Sequence, residues 1–224
     1  MASERIEAKR AALRSRIIEV ALKAFSARGF EATTTIGIAD QLQMTGPALY
    51  HYFRTKEELL FACLDHTLEQ QVTEVTAVVH GHEPPEIRLD RLVRKQVAFE
   101  LRQGSAASLI NAHLYGPQYL TRMLSAARRE ALRVKQRALV QMYRGLISEG
   151  MASGQFTDGN VGIAAFDVLA LIQYTGVWYR PRKGRSAGEV IEAQVAAVRR
   201  LLGAQPPAEP DTPTGMSEAR IGSA

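Results

Sequence analysis

Apolar residues along this chain recur at helical spacing in most stretches and show no sustained strand-like alternation. Ile18, Ala21, Leu22 and Phe25 stand at i, i+3, i+4 and i+7 and so share one helix face. They predict a helix over about residues 8–28, stopped by Arg28-Gly29. Thr34 predicts the cap of a short helix over 35–41, with Ile38, Ala39 and Leu42 turned inward. The turn Leu42-Gln43-Met44-Thr45 leads to a second short helix from Gly46 to about Tyr52, with Leu49 and Phe53 inward. Thr55-Lys56-Glu57-Glu58 has the spacing of a capping box, in which Thr55 serves the Glu58 amide and Glu58 serves Thr55 in return. The helix it opens runs to about Val79.

His80-Gly81-His82-Glu83-Pro84-Pro85 reads as a loop. Further helices are predicted at about 86–103, 105–114, 119–151, 159–179 and 187–203, with Asp158 and Ser186 capping the last two. The one Asp-Gly pair, Asp158-Gly159, opens a helical pattern rather than a hairpin. Residues 204–224 hold four of the nine prolines and few large apolar side chains, which predicts a disordered tail. Residues 161–179 approach the length of a membrane span. Asp167, Gln173, Thr175 and several small residues favour instead a helix buried on most sides in a dimer seam. The stripe Val190, Ile191, Val195, Val198 and Leu201-Leu202 makes the last helix a second dimerisation candidate.

Two short helices around a tight turn, with a helix before and a capped helix after, describe a helix-turn-helix. Gly46 and Ala48 make the start of the second helix small, so its backbone can approach a duplex closely. Pro47 sits in the first turn, where its missing N–H is not needed. Thr45 caps the helix, and the free amides there suit phosphate. Tyr50 and His51 face away from Leu49 and Phe53 and carry donors for phosphates or base edges. Lys56, beside them, can neutralise a phosphate. Each has a plainer reading. Tyr50 can be a core tyrosine, Lys56 a solvated helix-start lysine, and Thr34 a cap and nothing more.

The string ATTTIGIADQLQMTGPALYHYFRTKEELL, preceded by IIEVALKAFSARGF, resembles the DNA-binding domain of TetR-family transcriptional repressors over residues 16–64. The resemblance implies an all-α protein that is not an enzyme. Thr34 would cap the first short helix and touch phosphate. Thr45, Gly46, Pro47, Tyr50 and His51 would form the recognition helix, and Lys56 would anchor a phosphate. Three positions depart from the pattern. Gln43 stands where the turn usually has glycine, Gly46 where lysine or arginine is frequent, and Ile36-Gly37 where a polar or charged pair is common. The remainder resembles the family's ligand domains in length and helical character. Gly176-Val177-Trp178-Tyr179-Arg180-Pro181 is similar to a subset of which some members respond to acyl-CoA thioesters or fatty acids.

Composition adds bounds. The 224 residues are 46% hydrophobic and 23% charged, with formal charge +5, which permits a polyanionic partner without requiring one. A single cysteine, Cys63, excludes an intrachain disulfide framework and a cysteine metal cluster, and fits a cytoplasmic protein. MASERIEAKRAALRSR has no apolar core and is not a secretory signal. His80, His82 and Glu83 lack a third distant ligand, so a metal is not expected. No catalytic motif and no cofactor-binding loop appears. Residues 122–144 carry Arg122, Arg128, Arg129, Arg133, Lys135, Arg137 and Arg144 against Glu130 alone. That run is either a solvated helix face or a site for an anionic ligand such as a CoA phosphate. Arg102 could join it, with Phe99, Leu109, His113, Tyr115, Tyr119 and Met123 as pocket wall.

The expectation is a homodimeric, effector-released repressor of a palindromic operator in double-stranded DNA, not associated with membranes. Residues 8–55 would bind DNA, and residues 56–203 would bind a small effector, an acyl-CoA or another hydrophobic anion, and dimerise. The alternatives are a sequence-tolerant DNA-binding protein and a helical ligand carrier or enzyme with a vestigial helix-turn-helix.

Overall fold

A computed structural model describes residues 2–103, 123–180 and 186–204. Among them the regular structure is all helical: α1 (Ala2–Arg28), α2 (Thr35–Gln41), α3 (Gly46–Tyr50), α4 (Lys56–Val79), α5 (Pro85–Gln103), α6 (Ala126–Ala152), α7 (Val161–Trp178) and α8 (Ala187–Leu201). The predicted helix at 105–114 and the predicted tail beyond Ala204 lie outside the described residues.

Several predicted boundaries move. α1 starts at Ala2 rather than residue 8, because no glycine or proline interrupts good helix formers before Gly29. α3 ends at Tyr50, with His51 as its C-cap. α6 begins only at Ala126, where the Ser125 hydroxyl accepts from the Arg128 amide at 3.3 Å. α7 is capped by Asn160, whose Oδ1 accepts from Ile163 N at 3.0 Å, and not by Asp158, which accepts from its neighbour Gly159. The cap at Ser186 is as predicted and forms a complete box with Glu189. At Thr55 only half of the predicted box forms. Thr55 Oγ1 accepts from Glu58 N at 3.1 Å, while Glu58 Oε2 accepts from Arg54 N at 2.9 Å rather than from Thr55 N.

Two hydrophobic clusters organise the chain. The first joins Ile17, Ile18, Leu22 and Phe25 of α1 to Ile38, Leu49, Phe53 and the α4 residues Leu59, Leu60, Cys63, Leu64 and Leu68, with Leu124 and Leu132 covering one side. Each fully buried large side chain here contributes about 1.5–3 kcal/mol. The second joins Val75 and Val79 of α4 to Leu92, Val93 and Val97 of α5, Tyr143 and Ile147 of α6, Val168 and Ile172 of α7, and Val195, Val198 and Leu202. α4 therefore belongs to both. Beyond α6, the Phe156 ring packs over Gly150 so closely that a Cβ there would lie 2.2 Å from ring carbons.

α8 does not present the expected stripe. Val190, Val195, Val198 and Leu202 are buried within their own chain, Ile191 is half-buried, and Leu201 alone of the stripe is exposed. Helical periodicity marked these residues correctly as covered, but the cover is this chain's own bundle. α7 differs, because Val168, Leu169 and Ile172 are buried while Ile163, Phe166, Tyr174, Val177 and Trp178 are exposed. It is long and apolar enough to cross a membrane, but its buried side packs on α5, α6 and α8.

Candidate nucleic-acid interface

The turn before α2 is pinned from inside. The buried Thr33 hydroxyl lies 2.7 Å from Gly29 O and 3.1 Å from Ala24 O, tying the turn to the end of α1. Thr34, in extended conformation, accepts from Gly37 N at 3.0 Å and caps α2. After α2 the chain turns through Gln43 at φ 55, a left-handed residue without glycine. This costs about 1 kcal/mol, and the turn is held by Gln43 N donating to Asp40 O at 3.0 Å and Met44 N to Ala39 O at 2.9 Å. The turn thus takes its left-handed residue without a glycine.

Thr45 then caps α3, accepting from Ala48 N at 3.3 Å. Pro47 lies in the first turn. A Cβ on Gly46 would meet nothing within 4 Å, so packing does not require glycine there. Leu49 and Phe53 are buried as predicted. Tyr50 is 47% exposed and is no core tyrosine; its hydroxyl lies 3.1 Å from Thr35 Oγ1 on α2. His51 is exposed beside it. Lys56 is more constrained than a solvated lysine. Its ammonium donates to Glu31 O at 3.2 Å and sits 4.2 Å from the centre of the Phe30 ring. Thr34, Thr45, Gly46, Pro47, Tyr50, His51 and Lys56 are thus all on or next to one compact unit. The positioning roles of Thr35, Phe30 and Glu31 were not legible beforehand, since each acts through a contact distant in sequence. Ile36, one of the departing positions, is exposed on α2.

The suggested pocket is less coherent. Leu109, His113, Tyr115, Tyr119 and Arg122 lie outside the described residues. Phe99 is buried in the bundle, and Met123 is exposed. Arg102 stacks 5.8 Å from the Phe99 ring centre, and Glu74 already neutralises it at 2.6 Å. Most of the basic run is likewise paired. Lys135 bridges Asp65 at 2.5 Å and Glu69 at 2.9 Å, Arg137 and Arg133 share Glu130, and Arg128 approaches Glu58 at 4.0 Å. Burial opposes the charge on Lys135, but its two carboxylates outweigh that and hold its pKa above the ordinary lysine value. The ion-paired helix face is therefore the better description of most of this run. Arg133, Arg137 and Arg144 also line an open cleft of about 420 Å³ with Phe166 of α7. Among the described residues no three His, Cys, Asp or Glu side chains gather, and Glu83 is held by Arg91 at 2.9 Å.

Comparison with known proteins adds to this geometry. Residues 17–63 match the family model described as bacterial regulatory proteins, tetR family, and residues 82–202 match that described as tetracyclin repressor-like, C-terminal domain. The HTH-type transcriptional repressor KstR2 of Mycobacterium tuberculosis is 25% identical over 186 residues, covering 83% of this chain and 90% of its own. A solved regulatory protein of the tetR family from Rhodococcus RHA1 superposes with TM-score 0.77 at 23% identity, covering 86% of this chain and 98% of that one. AibR, solved in complex with isovaleryl coenzyme A and operator DNA, superposes with TM-score 0.73 at 24% identity, covering 86% of this chain and 99% of that one.

Proposed function

The chain belongs to the tetR family of bacterial regulatory proteins and is a DNA-binding transcriptional regulator, and from that premise we propose how it works. It acts as a repressor. Thr34, Thr45, Gly46, Pro47, Tyr50, His51 and Lys56 form its DNA-contacting surface, with Tyr50 and His51 reaching base edges or phosphates and Lys56 anchoring a phosphate. The observation that carries this is the exposed Tyr50, held by Thr35 on the outer side of a helix whose inner side is locked by Leu49. Functionally, residues 8–55 read DNA and 56–203 sense the effector and dimerise, while α4, shared by both hydrophobic clusters, links them mechanically.

One helix-turn-helix buries too little surface for tight operator binding, so the working form is a homodimer on a palindrome with half-sites about one helical turn apart. The exposed face of α7, from Ile163 to Tyr174 and Val177, is the seam we favour, with Phe166 at its edge beside the arginine cleft. α8 contributes its free edge near Leu201. The effector is a hydrophobic anion of the acyl-CoA type. The arginine cleft beside Phe166 supports this class, as does the coenzyme A thioester bound by the structurally similar AibR. Binding releases DNA only through a preference for a conformer whose two recognition helices are wrongly spaced. A coupling of about 1–3 kcal/mol gives roughly 5- to 150-fold release.

A mobility shift of the purified protein on its own upstream intergenic DNA, with unrelated competitor and a panel of acyl-CoA thioesters, tests this. Specific retention that one thioester relieves is expected. Specific retention that no thioester relieves would overturn the effector class. Absence of any sequence preference here and in a selection from random duplexes would overturn the repressor reading.

A further inference from the structure

α1 is longer than its packing requires. Its first buried residue is Ile17, and residues 3–12 are all exposed. At 1.5 Å per residue, the stretch from Ala2 to Leu13 reaches about 17 Å beyond the packed domain. Residues 2–16 are cationic, with Arg5, Lys9, Arg10, Arg14 and Arg16 against Glu4 and Glu7. Arg5 and Lys9 stand at i and i+4 on one side of the helix, and Arg10 and Arg14, also i and i+4, lie about 140° further round it, while Glu4 and Glu7 fall outside the half-turn these cations span. Among the described residues, Arg5, Lys9, Arg10 and Arg16 have no ion-pair partner, whereas Arg91, Arg94, Lys95, Arg102, Lys135 and Arg199 of the bundle all have one. Arg14 fixes where the extension leaves the domain. Its guanidinium lies 4.9 Å from the centre of the Phe53 ring, two residues beyond His51 at the end of α3.

We propose that this extension of α1 is a second DNA-contacting element, laying Arg5, Lys9 and Arg10 on the phosphate backbone flanking the half-site read by α3. The inference rests on the repressor reading above. Duplex DNA, with one charge per about 1.7 Å of axis, is the complement of an exposed helix that carries unneutralised cations over half its circumference. A membrane surface is a poor match, because an interfacial helix needs an apolar face and Ile6 is the one large apolar residue between Ala2 and Leu13. The extension runs on from the recognition unit through the Arg14–Phe53 contact, so the two surfaces are continuous.

The test compares full-length wild type with the triple variant R5A/K9A/R10A on an operator selected from random duplexes. All three side chains are exposed, and alanine preserves the helix. The variant is expected to keep its helical content and its dimer. The slope of log affinity against log salt becomes shallower by about one to three, and hydroxyl-radical protection contracts at the outer edges of the footprint. An unchanged slope with an unchanged footprint overturns the proposal and leaves the repressor reading intact. A weaker footprint of unchanged width also overturns it, since that is what a change of net charge alone produces. If wild type itself selects no specific duplex, the repressor reading falls and this inference with it.

Discussion

Around α1–α3 the cations point outward and, among the described residues, have no carboxylate ion pair. In the bundle behind them, several cations are held by carboxylates from other helices. Arg94 meets Glu192 at 2.8 Å, Arg102 meets Glu74 at 2.6 Å, and Arg199 grips Asp90 through contacts of 2.6–3.1 Å. The Arg91 hydrogen bond holds the Glu83 carboxyl down to about 2, and the Asp90 hydrogen bond raises Arg199. The contrast shows how one chain separates two tasks. A scaffold gains by neutralising its own charges across helices, whereas a surface kept for a polyanion leaves its cations unneutralised until the partner arrives.

The largest losses of stability are expected from substitutions in the bundle. Asp90→Ala strands the Arg199 guanidinium in a site where the Asp90 side chain is 8% exposed. Because Arg199 keeps 30% exposure, the expected loss is about 2–3 kcal/mol, below the roughly 3–5 of a fully enclosed pair. Urea unfolding measures it, and folded protein should keep its operator affinity. Gly150→Ala drives a methyl into the Phe156 ring and should cost about 1–3 kcal/mol by the same measurement, again without a DNA phenotype.

The recognition unit should behave in the opposite way. Tyr50→Ala and Lys56→Ala are each expected to weaken operator binding by about 1–2 kcal/mol, read by titration of labelled duplex, with unfolding free energy changed by less. Gly46→Ala sharpens the point further. Open space surrounds the new methyl, so stability should hold or rise by up to about 0.5 kcal/mol, while any loss of affinity reports how closely the α3 backbone approaches DNA. The smallest expected effect is acid sensitivity. Arg91 and Arg94 depress the pKa values of Glu83 and Glu192, so these pairs contribute stability above the ordinary carboxylate value, lost as pH falls through the folded values, about 2 for Glu83. Melting temperature followed down through that window should fall less steeply in R91A/R94A than in wild type.

The helix-turn-helix was legible because its determinants are local. Thr34, Thr45 and Gly29 act within four residues of their own positions. What escaped was tertiary. The Thr35–Tyr50 contact spans 15 residues and the Lys56–Glu31 contact 25, and no periodicity encodes either. The α7 cap falls on Asn160, whose Oδ1 accepts from Ile163 N, rather than on Asp158, whose Oδ1 accepts from the adjacent Gly159 N. The α8 stripe was visible as a stripe, but which surface covers it depends on α5 and the rest of the bundle. The basic run on α6 looked uncompensated because its carboxylates, Glu58, Asp65 and Glu69, sit about seventy residues earlier on α4.

On the proposed reading, α3 and Lys56 read a specific duplex while the bundle holds and regulates them. Selection of a duplex from random sequence by wild type, followed by titration with wild type, Tyr50→Ala and Lys56→Ala, tests it most directly. A palindrome bound tightly by wild type and about tenfold more weakly by each variant, all three remaining equally folded and dimeric, is the predicted result. Equal affinity of all three proteins for that palindrome, or equal affinity of wild type for every duplex, would contradict it.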